Sequence, residues 1–218
     1  MATSRPAIPQ AWLARVEALL ATGAPRVLLG LVGPPGAGKS TLALQLQAAF
    51  AEVSRVLPMD GFHLANSELQ RLGRAGRKGA PDTFDAAGYL ALLQRLRQPP
   101  RADYNSSEVI YAPEFRREIE EAVAGAIAIE PHIRLVIAEG NYLLLDQSPW
   151  DAIAPLLDEA WYVDMDDRLR EERLARRHEE FGRSREDALA WVAQTDAPNA
   201  RLIEASRPRA TQVFRWDA

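Results

Sequence analysis

Residues 33–41 form a glycine-rich stretch with the composition of a loop that binds phosphate. Residues 33–40, Gly-Pro-Pro-Gly-Ala-Gly-Lys-Ser, match G-x-x-x-x-G-K-[ST] in full. Glycines let successive backbone N–H groups face one anion, and a following helix adds partial positive charge. A turn with an incidental Lys-Ser pair is the alternative, which the flanking strand and helix patterns disfavour. The predicted ATP-binding residues are Gly33, Gly36, Ala37, Gly38, Lys39, Ser40 and Thr41.

Lys39 and Ser40 have separate predicted roles within this loop. The lysine would reach the β- and γ-phosphates of ATP, and the serine hydroxyl would bind Mg²⁺. Glu139 is the second predicted Mg²⁺ residue, because it follows the apolar run Val136–Ala138 at a strand end. The alternative is an acid at a solvated strand end. Asp164 and Asp166 are weaker metal candidates, since such residues also cap helices.

Asp60 lies at the end of another short apolar run, in Met-Asp-Gly-Phe-His. A carboxylate there could accept the proton of an attacking hydroxyl group, which is what phosphoryl transfer to an alcohol requires besides positioning. An ordinary Asp-Gly turn is the alternative. His63 is a possible substrate contact, although a lone histidine is often a satisfied loop residue.

An arginine-rich segment at about residues 168–185 could close over ATP as a lid. Arg173, Arg176 and Arg177 fall on one side of a predicted helix, and Arg183 follows in a turn. Guanidinium groups stabilise charge that spreads over the transferred phosphoryl oxygens. The alternative is a surface helix in which four glutamates balance the arginines. The basic run from Arg71 to Lys78 could likewise be a solvated face.

Strand-like and helix-like patterns alternate along the chain, which predicts a three-layer α/β P-loop fold with a mostly parallel five-stranded sheet. The strands are expected at 27–32, 55–59, 133–138, 160–165 and 212–216, with helices at about 9–21 and 39–50. Residues 73–81 and 98–113 have the composition of linkers. We expect one domain over residues 1–218, with an acceptor pocket at about 60–116.

The composition excludes several classes of function. The chain has 218 residues, no cysteine and a net charge of −4, so thiolate chemistry is excluded and binding to nucleic acid is not expected. No stretch has the roughly 20 apolar residues that a membrane span needs. We therefore expect a cytoplasmic protein without a membrane partner.

The order of these motifs resembles the uridine kinase, pantothenate kinase and phosphoribulokinase superfamily over nearly the whole length. Within this superfamily, the chain resembles bacterial nucleoside/nucleotide kinase-like proteins that are described as fructose transport system kinases. The matching stretches are residues 59–64, 77–85, 139–146 and 196–203. The residue after Asp60-Gly-Phe is a histidine, whereas uridine kinases have an aromatic pair there, so uridine itself is not favoured.

The resemblance implies roles for particular residues. Asp60 would be the catalytic base, and Lys39, Arg173 and Arg177 would assist catalysis, with Arg183 near the nucleotide. The implied substrate residues are His63, Arg77, Lys78, Asp82 and Phe84, of which Asp82 and Phe84 could also be turn and core residues. Asn199 and Arg207 are implied to lie near either ligand, and a homodimer is possible.

The sequence thus predicts a kinase that uses ATP and Mg²⁺ to phosphorylate a sugar, nucleoside or pantothenate-like alcohol. Two alternatives remain. One is a P-loop NTPase that acts as a nucleotide-driven regulatory switch, and the other is a non-catalytic nucleotide-binding module. A kinase needs a base that faces an acceptor pocket, whereas a switch needs a positioned water and moving loops.

Overall fold

The computed structural model describes residues 7–98, 108–180, 182, 184–193 and 197–216. Its strands are β1 (Val27–Val32), β2 (Ser54–Pro58), β3 (Ile110–Arg116), β4 (Glu121–Ile129), β5 (Leu135–Gly140), β6 (Glu159–Asp164) and β7 (Gln212–Arg215). Its helices are α1 (Gln10–Leu20), α2 (Lys39–Ala49), α3 (Asn66–Arg71), α4 (Ala86–Arg97), α5 (Asp167–Glu180), α6 (Arg185–Trp191) and α7 (Ala197–Ala205).

Five of the strands form a parallel sheet in the order β2-β5-β1-β6-β7, which confirms the predicted fold class. The central strand β1 is buried at all six positions, as expected for a strand that is covered on both faces. Alternate residues of β1 therefore pack into two different cores. Predicted and observed strand bounds agree within two residues at each end.

Helices cover both faces of the sheet. On one face, Leu28 and Val32 pack with Tyr89 of α4 and Ile203 of α7. On the other face, the remaining apolar residues of β1 pack with side chains from α1 and α2. The three layers place the carboxyl ends of all five strands along one edge.

A β-hairpin formed by β3 and β4 lies outside this sheet. The sequence pattern placed a linker at 98–113, and that prediction is wrong for residues 110–113, which belong to β3. The hairpin packs on the turn Met59–Phe62 after β2, where a Cβ atom on Gly61 would overlap the carbonyl oxygen of Pro113. Only glycine permits this contact, and it fixes the hairpin beside the carboxyl edge.

Candidate functional site

A cavity of about 780 Å³ lies over the carboxyl edge of the sheet. It is lined by the loop after β1, the turn after β2, the hairpin, the end of β5 and helix α5. A ligand site at this edge is the usual arrangement in open α/β sheets. Phosphate-binding residues and part of the predicted acceptor residues share this cavity.

The glycine-rich loop joins β1 to α2 in a conformation that requires glycine. Gly36 and Gly38 have φ angles of 84° and 92°. A Cβ atom on Gly36 would lie 3.1 Å from the carbonyl oxygen of Arg170, and one on Gly38 would lie 2.7 Å from Nε1 of Trp216. The loop is therefore packed between α5 and the residue that follows β7. Gly33 and Ala37 support the loop but do not line the cavity.

Lys39 is the first residue of α2, and only 6% of it is exposed. Its Nζ atom donates a hydrogen bond to the carbonyl oxygen of Pro34 at 3.1 Å. Burial lowers the pKa of the Lys39 ammonium group, while the nearby carboxylates of Glu139 and Asp60 raise it in part. A buried ammonium group gains most from an anionic ligand, which is the environment expected for a phosphate.

Ser40 and Glu139 meet beside the loop. Leu31 of β1 pairs with Glu139 of β5 in the sheet, which brings the two strand ends together. The Ser40 hydroxyl donates to Oε1 of Glu139 at 3.1 Å. Burial raises the pKa of Glu139, and the neighbouring Lys39 opposes this shift. A hydroxyl and a carboxylate together supply the hard oxygen ligands that Mg²⁺ prefers.

Asp60 lies in the turn after β2 and lines the same cavity. Its side chain is 43% exposed, and Nη2 of Arg117 lies 3.7 Å from its Oδ2 atom. At this distance the two side chains form an ion pair but no hydrogen bond. The carboxylate can therefore accept a hydrogen bond from a ligand hydroxyl group.

His63 is fixed by its neighbours. Its Nδ1 atom lies 2.8 Å from the carbonyl oxygen of Asp60. Because a carbonyl only accepts, Nδ1 carries the hydrogen and Nε2 of the neutral ring is an acceptor. The ring centroid lies 4.0 Å from that of Phe84 and 4.8 Å from that of Phe115. Burial lowers the pKa of His63, although the charge of Asp60 raises it in part.

The remaining predicted substrate residues divide into two groups. Lys78 and Phe84 line the cavity, and Nζ of Lys78 donates to Oδ1 of Asn66 at 2.7 Å and to the carbonyl oxygen of Glu120 at 2.5 Å. Arg77 and Asp82 do not line it, and their side chains form an ion pair with each other. Most of the basic run from Arg71 to Lys78 is thus paired at the surface.

Helix α5 carries Arg173 and Arg177 into the cavity wall, whereas Arg176 is exposed elsewhere on the helix. The Leu174 side chain reaches the glycine loop, since its Cγ atom lies 3.0 Å from the Cβ position of Gly36. Arg183 lies outside the described residues. The predicted lid segment therefore contributes two arginines to the site.

The weaker candidates have mixed outcomes. Asn199 lines the cavity. Arg207 instead donates to Oδ2 of Asp164 at 2.9 Å. Oδ1 of Asp166 accepts from the backbone of Leu169 at 3.1 Å, which is the helix-capping alternative.

Several residues of the cavity wall had no individual sequence prediction. Phe115, Arg117 and Glu120 come from the hairpin, and His178 and Trp191 come from α5 and α6. Recognition of the hairpin would have pointed to the first three, because the hairpin packs on the turn that carries Asp60. Asn141 also lines the wall and directly follows the matched pair Glu139-Gly140.

Comparison with known sequences gives two main results. The model of the family described as "Phosphoribulokinase / Uridine kinase family" matches residues 28–212. A Schizosaccharomyces pombe protein provisionally named as a uridine kinase is 34% identical over 190 residues, which cover 82% of this chain and 78% of its own.

Comparison with solved structures agrees with the result from the sequences. A protein from Silicibacter sp. TM1040, provisionally described as a fructose transport system kinase, is 36% identical with a TM-score of 0.83, and the match covers 95% of this chain and 99% of that one. YFH7 from Saccharomyces cerevisiae shares the fold at 19% identity with a TM-score of 0.79, over 97% and 100% of the two chains.

Proposed function

The chain belongs to the phosphoribulokinase/uridine kinase family of P-loop kinases, and on this premise we propose that it transfers the γ-phosphoryl group of ATP to a hydroxyl group of a small metabolite. The names of its relatives, a uridine kinase and a fructose transport system kinase, favour nucleosides and sugars among the acceptors. Pantothenate-like alcohols are the third class in the proposal.

One observation carries this proposal. The carboxylate of Asp60 lines the same cavity as Lys39, Ser40 and Glu139. A nucleotide-binding module has no need of a partly exposed carboxylate that faces its phosphate loop. A kinase needs one, because the acceptor hydroxyl must lose its proton as the new P–O bond forms.

In the proposed mechanism, the backbone amides of residues 36–41 and the Lys39 ammonium group bind the phosphates. Asp60 accepts the proton of the acceptor hydroxyl, and Arg173 and Arg177 stabilise negative charge on the transferred group. Closure of the segment at about 168–185 would exclude water as a competing acceptor. The side chains with a role in this mechanism that line the cavity are Lys39, Asp60, Arg173 and Arg177.

Ser40 and Glu139 would hold Mg²⁺, in keeping with their oxygen ligands and their 3.1 Å contact. When bound, the ion neutralises charge on the β- and γ-phosphate oxygens. Mg²⁺ keeps several ligands from water and phosphate, so two protein oxygens are enough for this role.

The proposal extends to the organisation of the chain and its surroundings. One kinase domain would contain the acceptor pocket at about 60–116 and the lid, and a homodimer is compatible with it. No helix of the described residues is long and apolar enough to cross a membrane. A metabolite kinase needs ATP and its substrate in one compartment, for which the cytoplasm is the proposed location.

The test compares Asp60→Asn with wild-type protein in Mg-ATP and a panel of sugars, nucleosides and pantothenate-like alcohols. We expect the acceptor to stimulate ADP release by the wild type and the substitution to lower kcat about 10²- to 10⁴-fold, with ATP binding kept. Asp151→Asn, which changes an exposed carboxylate outside the cavity, is the matched control.

Two outcomes would overturn the proposal. Unchanged acceptor-dependent ADP release in Asp60→Asn would remove Asp60 as the base. ATP hydrolysis that no acceptor stimulates would favour the regulatory switch, because a switch uses water as the acceptor of the phosphoryl group.

A further inference from the structure

The end of β5 and the residues that follow it are close to both halves of the cavity. Glu139, Gly140 and Asn141 line the cavity, and Glu139 contacts Ser40 beside the phosphate loop. The next residue, Tyr142, is wholly buried and does not line the cavity. A buried tyrosine needs a hydrogen-bond partner for its hydroxyl group. That partner shows which part of the molecule Tyr142 holds.

The hydroxyl group of Tyr142 contacts the acceptor half of the cavity, which is the half around Asp60. It donates a hydrogen bond to the carbonyl oxygen of Gly79 at 2.5 Å. Gly79 lines the cavity, whereas Tyr142 lies in the core. The hydrogen bond therefore directs the Gly79 carbonyl oxygen toward the core.

Gly79 lies in a loop of residues 77–84 that supplies side chains to the cavity wall. Lys78 directly precedes it, Phe84 ends the loop, and both line the cavity. Gly79 has a φ of 100°, a conformation that residues other than glycine rarely adopt. The position of the Gly79 peptide group thus affects where the loop presents its side chains.

Polar groups within this loop bond to one another. The backbone N–H of Gly79 donates to Oγ1 of Thr83 at 2.9 Å, and that hydroxyl group donates to the carbonyl oxygen of Ala80 at 2.7 Å. These hydrogen bonds fix the shape of the loop but not its position in the protein. The Tyr142 hydroxyl group attaches the loop to the segment that follows β5.

The ring of Tyr142 is held independently of its hydroxyl group. Its centroid lies 5.7 Å from that of Phe84 and 5.6 Å from that of Trp150, in edge-to-face arrangements. These contacts depend on the ring and would remain in a phenylalanine. Loss of the hydroxyl group alone therefore keeps the packing and removes the contact with Gly79.

The same short segment also holds the turn that carries Asp60. A Cβ atom on Gly140 would lie 2.6 Å from Cβ of Met59, the residue before Asp60. Glu139 is the proposed Mg²⁺ residue. Residues 139–142 therefore contact the turn with the base and the loop 77–84, in addition to supplying a ligand for the ion.

A buried carbonyl group that loses its donor is costly, because it has given up its hydrogen bonds with water. Without the Tyr142 hydroxyl group, the Gly79 carbonyl group could regain a partner by rotating toward water in the cavity. That rotation would place a carbonyl oxygen in the acceptor half and displace the neighbouring Lys78.

We propose that Tyr142 is a positioning residue for the acceptor, whose hydroxyl group holds the Gly79 carbonyl oxygen in the core and so fixes the loop of residues 77–84 against the acceptor half. This inference rests on the proposed kinase function and adds to it a residue outside the cavity wall. Nucleotide binding should not require the hydroxyl group, because the phosphate loop has no contact with Gly79.

The test compares Tyr142→Phe with wild type in Mg-ATP. The acceptor is the compound that most stimulates ADP release in the panel of sugars, nucleosides and pantothenate-like alcohols. We expect KM for this acceptor to rise about 5- to 50-fold and KM for Mg-ATP to stay within about twofold. A purely structural role would lower the amount of folded enzyme, and with it the apparent kcat, without raising KM for one substrate.

Tyr89→Phe is the matched control. Tyr89 is also wholly buried and belongs to the same core, but its hydroxyl group has no hydrogen-bond partner among the described residues. Its loss should leave both KM values as in wild type, because no contact is removed.

A double substitution tests whether Tyr142 acts through Gly79. Gly79→Ala strains the backbone at a φ of 100°, although nothing lies within 4 Å of the added Cβ atom. It should raise KM for the acceptor by itself. Together with Tyr142→Phe, the increase should be smaller than the product of the two single effects, because both act on one peptide group.

Hydrogen exchange tests the attachment of the loop without an acceptor. In the protein without ligands, mass spectrometry should show amide exchange in residues 77–84 that is at least about fivefold faster in Tyr142→Phe than in wild type. Exchange in Tyr89→Phe should equal that of wild type.

The outcomes separate this inference from the kinase proposal. Unchanged acceptor KM in Tyr142→Phe, or single effects that simply multiply in the double variant, would overturn the inference and leave the kinase intact. If no acceptor stimulates ADP release, the kinase proposal fails and hydrogen exchange decides the rest. Faster exchange would then support the attachment of the loop by Tyr142, and unchanged exchange would overturn it.

Discussion

The two halves of the cavity are built in opposite ways. The nucleotide half comes from one contiguous loop, whose lysine is buried and whose serine meets Glu139 across adjacent strands. The acceptor half is assembled from the turn after β2, the segment around Lys78 and a hairpin, joined at the carbonyl oxygen of Glu120. A contiguous motif fixes its own geometry, whereas an assembled site depends on contacts between distant segments.

Among the further substitutions that test this comparison, the largest effect should come from the nucleotide half. Lys39→Met removes a charge that stabilises the transferred group, so we expect kcat to fall about 10²- to 10³-fold. The substitution leaves the buried Glu139 carboxylate without a neighbouring positive charge, so the free energy of unfolding should fall. Steady-state kinetics and urea denaturation measure the two quantities.

If the halves are independent, acceptor binding in the absence of nucleotide should be the same in Lys39→Met and in wild type. If Lys39→Met lowers the affinity for the acceptor as much as the affinity for the nucleotide, the two halves of the cavity are not independent. Lys78→Met is the matched substitution in the other half.

An intermediate effect should follow from disturbing the contact between the hairpin and the turn after β2. Gly61→Ala places a methyl group on the carbonyl oxygen of Pro113, so the hairpin must shift. We expect the free energy of unfolding to fall by about 1–3 kcal/mol and the KM of the acceptor to rise, with ATP-analogue affinity near that of wild type. Denaturant melts and titrations measure these changes.

Gly76→Ala is the control for this change, because nothing lies within 4 Å of its Cβ position. It should stay within about 0.5 kcal/mol of wild type. A Gly61→Ala protein that binds both ligands normally would show that the contact between the hairpin and the β2 turn does not shape the acceptor half.

The smallest effect concerns pH and His63. Burial lowers its pKa in the folded protein from the ordinary value of 6.5. Below that value the unfolded chain binds a proton that the folded chain does not, so the free energy of unfolding should fall as pH drops from about 6.5 toward the folded pKa. In His63→Asn this part of the decrease should disappear, as measured by urea denaturation between about pH 7.5 and about pH 5.

His132→Asn changes a histidine at an exposed position and is the control for the pH dependence. If His63→Asn also leaves it unchanged, the packing of the ring between Phe84 and Phe115 does not set its protonation.

The same contrast explains how far the sequence could predict the molecule. Lys39 lies at the end of the loop after β1, Asp60 lies in the turn after β2, and Glu139 lies at the end of β5. Parallel strands bring their carboxyl ends together, so the meeting of these residues was predictable. The five-stranded sheet was predictable for the same reason. These predictions depend only on local pattern and on the rules of α/β topology.

The hairpin was not predictable in this way. Five of the nine residues of strand β4 are alanine or glycine, which are depleted in strands, so its three β-branched residues did not mark it as a strand. Arg117 and Glu120 therefore had no pattern to mark them. Arg77 and Asp82 matched the family by position, but their mutual ion pair depends on how the loop folds.

The order of the strands has a consequence for synthesis of the chain. Strands β1 and β2 do not pair with each other, and both pair with β5, whose first residue comes over 100 residues after Val27. At roughly 5–20 residues per second, the ribosome needs about 5–20 s to make that interval. Strand β1, which has no polar side chain, therefore has no strand to pair with until β5 has been synthesised. The nascent chain is exposed to aggregation during that interval.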